Sequence, residues 1–120
     1  MSRWLLEADR LEDQGLETPT LANLQLLRAQ TAFYRDFDYE KTVDYANRAL
    51  EANEFEKNKK GIAYSLMLIA QSEIEQGKIE SAQEHAQKGL EINEKLGNEH
   101  GIKRFQALLS RTSTAGPKTV

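Results

Sequence analysis

Apolar residues along the chain recur at steps of three and four, in runs cut by short polar links. This is the spacing that places side chains on one face of an α-helix. The clearest run puts Ile62, Leu66, Ile69, Ala70 and Ile74 on one stripe, and Met67 and Leu68 widen it. A stripe that broad predicts a helix buried on more than one side. Gly77 ends the run, as a glycine does when it supplies the left-handed residue after a helix. The next run carries Ile79, Ala82, Ala86, Gly89, Leu90 and Leu96 on its inner face and stops at Gly97. Asn98 can cap a further helix, from about Gly101 to Arg111. Upstream, Thr18-Pro19 is a helix start with proline in the tolerated first turn. Leu21, Leu24, Leu27, Ala29 and Phe33 continue that helix to about Arg35. After the turn RDFD, a helix holds Tyr39, Val43, Ala46, Leu50 and Phe55. Residues 3–16, with Trp4, Leu5, Ala8 and Leu11 apolar, predict one more, giving about six helices. The tail TSTAGPKTV, residues 112–120, has linker composition and is expected to be disordered.

The runs are also related to one another. Sliding the chain by 40 residues pairs 36–62 with 76–102 and matches nine of 27 positions, where chance gives roughly two. The identities include Ala46/Ala86, Leu50/Leu90, Asn53/Asn93, Asn58/Asn98 and Gly61/Gly101, so the links recur along with the helices. A single helix hairpin cannot bury both faces, so such a unit stacks on its neighbours, and small residues let the backbones approach. The chain therefore reads as an all-α domain over 1–111. Residues 3–16 close a partial unit, 19–57 and 58–97 are two full units, and 98–111 open a third.

At these residues the sequence resembles the tetratricopeptide repeat family. The second unit supplies Leu66, Ile69 and Ala70, then Gly77-Lys78-Ile79, then Ala82 and Gly89-Leu90; the first supplies Leu26, Ala29, Tyr39, Thr42 and Ala49-Leu50. Gln30 stands where the family has a small residue and Phe37 where it has the turn glycine, and the proline that usually ends a unit is missing. The 40-residue period is similar to the longer-helix branch of the family. The resemblance implies a right-handed superhelical stack of antiparallel helix pairs whose first helices line a concave groove. It also implies a protein-interaction module that grips a peptide or helix of a partner. By that geometry the groove would present Leu24, Leu27, Thr31 and Tyr34 from the first unit, Tyr64, Met67 and Gln71 from the second, and Arg104 and Arg111 from the third. The competing reading of Leu24, Leu27 and Met67 is plain core. The chaperone-binding members hold a terminal carboxylate at positions that here are Leu27, Thr31, Leu68, Arg104 and Leu108, so that clamp is not expected.

Composition narrows the chemistry. A net charge of −3 and a pI near 5.4 argue against a general nucleic-acid binder, while leaving room for a local basic patch. With no cysteine there is no disulfide, zinc ribbon or thiol nucleophile. No apolar run reaches membrane-spanning length, and MSRWLLEADR lacks a signal peptide's apolar stretch, so a cytoplasmic setting is expected. His85 and His100 stand apart without metal-ligand spacing; His85 reads as a packing or rim residue and His100 as solvent-facing. The stretch DFDYE has Lys41 and Asn47 where a calcium loop needs glycine and glutamate, so it reads as a turn with Asp38 as a cap. No phosphate loop or nucleophile elbow occurs. No catalytic residue, metal site or cofactor is expected. Lys57, Lys59 and Lys60, and Lys103, Arg104 and Arg111, form two basic groups that read as solvated faces or as a rim for an acidic peptide. The second functional reading is self-association as a homodimer through the terminal helices. Phe105, Leu108 and Leu109 look too apolar for the polar cap that ends a repeat array.

Overall fold

The computed structural model describes residues 18–115. They form five α-helices: α1 (Thr18–Tyr34), α2 (Tyr39–Phe55), α3 (Lys59–Glu75), α4 (Ile79–Leu96) and α5 (Glu99–Ala115). The helix expected at 3–16 lies outside the described residues, as do 116–120. The last helix continues past Arg111, and Thr112, expected to begin the tail, is buried with its hydroxyl donating to the Leu109 carbonyl at 2.6 Å.

One turn is used repeatedly. Phe37, Lys57, Gly77 and Gly97 all have positive φ, between 54° and 79°, and stand 20 residues apart. At the last three, the residue after the left-handed one donates to the carbonyl five back: Asn58 to Asn53 (2.8 Å), Lys78 to Glu73 (2.8 Å) and Asn98 to Asn93 (3.0 Å). The left-handed residue itself donates three back, to Glu54, Ile74 and Glu94. These paired bonds satisfy carbonyls that a helix end leaves open. The next helix then starts on a cap: the Asp38, Asn58 and Asn98 side chains accept from the amides of Lys41, Gly61 and Gly101 at 3.1–3.2 Å. Lys78 occupies the same place without a side-chain bond. The 40-residue repeat is thus two such helix-and-turn steps.

Each helix packs on the next, so the chain is a stack of antiparallel pairs. The core follows the stack in two parts. Ala29, Ala46, Leu68 and Ile69 join α1, α2 and α3. Ile62, Leu66, Met67, Ala70, Ala82, Ala86, Leu90, Phe105 and Leu108 join α3, α4 and α5. Helix α3 feeds both, as its broad stripe predicts. Two expectations fail at helix ends: Leu96 and Phe55 are exposed, at 44% and 78%. Each is the final residue of its helix, past the last turn that packs on a neighbour. The end face also differs. Of Phe105, Leu108 and Leu109, expected to leave an apolar face on α5, the first two are turned inward at 1% and 4% exposure and Leu109 is half-buried. Lys103, Gln106 and Ser110 face outward.

Candidate functional site

The helices form two layers. Helix α1 touches α3 and α3 touches α5, whereas among the described residues α2 and α4 do not meet. The layer whose members touch, α1, α3 and α5, is called the inner layer, and α2 with α4 the outer. Charge is divided the same way. The three inner helices carry six Lys or Arg against three Asp or Glu, while α2 and α4 carry four against eight. The outer acids repeat at the 40-residue offset, as Glu40/Glu80, Asp44/Glu84, Glu51/Glu91 and Glu54/Glu94. All eight are exposed.

Between α3 and α5 the inner layer opens into a cleft of ≈ 270 Å³. Ala63, Met67 and Phe105 line it with apolar surface, Tyr64 stands beside them, and Lys60, His100 and Arg104 supply basic groups. Asn93, Asn98 and Gly101 close it at the α4–α5 turn. A Cβ on Gly101 would overlap the Asn93 side chain, and one on Gly61 would overlap Asn53. The recurring glycine is what lets the starts of α3 and α5 lie on the buried asparagine before each of them. Both α3 and α5 present their N-terminal turns to the cleft, and the positive ends of their dipoles add to the side-chain charge.

Of the groove residues expected from the sequence, the structure brings Tyr64, Met67 and Arg104 together in this cleft. The remainder lie elsewhere. Leu24 and Thr31 are buried, with the Thr31 hydroxyl donating to the Leu27 carbonyl at 3.0 Å; Leu27 is half-buried. Tyr34 is 57% exposed and belongs to an aromatic group at the α1–α2 turn, its ring centroid 4.8 Å from that of Phe33. Gln71 is half-buried with its side-chain carbonyl unpartnered. Arg111 donates to Glu75 at 3.1 Å across α5 and α3. Lys60, Ala63, Asn93, Asn98, His100 and Phe105 were not among the expected groove residues. The signal for two of them was present: Lys60 and His100 are equivalent at the 40-residue offset and stand one turn before the equivalent pair Tyr64 and Arg104.

Two other polar features hold the stack. The Tyr64 hydroxyl accepts from the Gln30 side-chain amide, tying α3 to α1. Buried Glu73 accepts from the Ser81 hydroxyl and lies 2.6 Å from Nδ1 of His85, which pins α3 to α4. Ser81 and His85 meet the carboxyl side by side, so His85 is a packing residue with a defined partner. At the surface, the hydrogen bond from the Arg35 guanidinium (2.9 Å) holds the Asp36 carboxyl below its usual range.

Comparison with protein-family models, curated proteins and solved structures gives no match. Among the described residues no helix is long and apolar enough to cross a membrane.

Proposed function

We propose that this chain is a non-catalytic, cytoplasmic protein-interaction module of the tetratricopeptide type, which grips a peptide or helix of a partner protein along α1, α3 and α5. One observation carries the reading: the α3–α5 cleft combines an apolar floor of Ala63, Met67 and Phe105 with the exposed basic residues Lys60, His100 and Arg104 at its rim. Sites that anchor a ligand by one apolar group and orient it by a few polar ones are built this way. The types present, Tyr64, Met67, Phe105 and Arg104, include those that dominate binding energy at interfaces. The 40-residue helix-pair repeat supports the same reading, because stacked hairpins use one layer for packing continuity and leave the other for partners. Self-association through the terminal helices is the other expectation; the helix at 3–16 lies outside the described residues, and on α5 Phe105 and Leu108 are inside while Leu109 is half-buried.

The test is affinity capture from a lysate of the source cell, comparing the chain with its Tyr64→Ala and Arg104→Glu variants. Proteins retained by the parent chain should fall by roughly tenfold with either variant, while helicity and Tm stay close to the parent's. Equal retention by all three chains refutes the assignment of the groove.

A further inference from the structure

We propose that the α3–α5 cleft takes an acidic segment of its partner: one large apolar side chain seated against the half-buried Tyr64 ring, above the buried floor of Ala63, Met67 and Phe105, with neighbouring Asp or Glu carboxylates held by Lys60 and Arg104. This rests on the groove reading above and names the chemistry that fills it.

Charge complementarity fixes the choice. The chain as a whole is acidic, at −3, yet no acidic residue lines the cleft among the described residues. Of the three acids on the inner helices, Glu73 is engaged by Ser81 and His85 and Glu75 by Arg111, while Glu99 is exposed at the start of α5 and is not part of the cleft lining. The other described acids lie on the outer layer or in the α1–α2 and α2–α3 turns. Among the described residues, no ion pair occupies Lys60 or Arg104. Two cations without a counter-charge, beside the positive ends of two helices, attract an anion and repel a basic segment. The floor selects among anions. Apolar surface between the cations gains from a hydrocarbon side chain, which an acidic peptide carries and a phosphate backbone does not. The outer layer, with eight exposed acids, repels the same segment and directs it to the inner face.

The α1–α3 junction differs: there Tyr64 stands at the position equivalent to Arg104 and is bonded to Gln30. The acidic part of the partner therefore sits toward α5.

The experiment is selection of binders from a random twelve-residue peptide display library on the full chain. Affinities of the selected peptides are then measured as synthetic, fluorescein-labelled, C-terminally amidated molecules. The selected peptides should carry Asp or Glu beside a Leu, Met or Phe, and binding should weaken as salt rises. Lys60→Glu and Arg104→Glu should each lower affinity by at least about tenfold. Because both side chains are exposed, these variants should keep the parent's helicity. Peptides that bind with no acidic preference, or that bind the charge-reversed variants equally well, overturn this proposal and leave the groove reading standing. Binding that needs a free C-terminus, or that is stronger for a single-stranded oligonucleotide of equal length, overturns it as well. A selection that yields no binder at all counts against the groove reading itself.

Discussion

Gly89 and Phe105 show how a repeat is adjusted one residue at a time. At the junction of the first and second units the equivalent residues are Ala49 and Ser65. At the next junction, a Cβ on Gly89 would overlap the Phe105 ring, which is fully buried. A large side chain on α5 is thus matched by the loss of one on α4. Gly89→Ala should cost about 1–3 kcal/mol, as overpacking does, measured by urea unfolding. In a Phe105→Ala background the same change should cost almost nothing, so a double-mutant cycle reports the pair directly. Equal costs in both backgrounds would show that the ring is not what excludes the methyl. The sequence marks Gly89 as a small packing residue, but not its partner. Phe105 breaks the repeat, and an offset can only point to contacts that both units share.

Among the elements, helix boundaries were legible wherever a residue type is specific for its backbone. Gly77 and Gly97 mark left-handed turns, and Asn58 and Asn98 mark caps, and each is found in that role. Phe37 and Lys57 have the same left-handed backbone without glycine, so the turn period of 20 residues was hidden by side chains that seldom adopt it. The end of α5 was also hidden, because Thr112 and Ser113 are weak helix formers and burial of Thr112 holds the extra turn. The caps give a test with both signs. Asn98→Ala should lower stability by roughly 0.5–2 kcal/mol. Lys78→Asn, at the one turn among these four whose cap makes no side-chain bond, should raise it by about 1 kcal/mol. Thermal melts followed by circular dichroism would read both; a lower Tm for Lys78→Asn would mean that the Lys78 backbone does not admit the cap.

At the scale of the stack, α5 completes the core of α3 and α4 and turns Lys103, Gln106 and Ser110 outward. Leu108→Ala should therefore cost about 2–5 kcal/mol, the range for a buried leucine. It should do so without exposing a surface that associates, and light scattering of the variant under native conditions checks this. The division of charge between layers was half legible. The outer acids repeat at the offset, so their pattern is in the sequence, whereas the basic inner side is assembled from Lys60, His100 and Arg104, which match nothing in the first unit by type. A site built from the differences between units becomes visible only when the stack places them side by side. The most direct test of the inner layer as the binding face is backbone amide shift mapping, by titrating the tightest library-selected peptide into the isotopically labelled chain. Shifts should concentrate on Lys60, Ala63, Tyr64 and Met67 of α3 and on His100, Arg104 and Phe105 of α5. Shifts confined to the exposed faces of α2 and α4 would contradict the account.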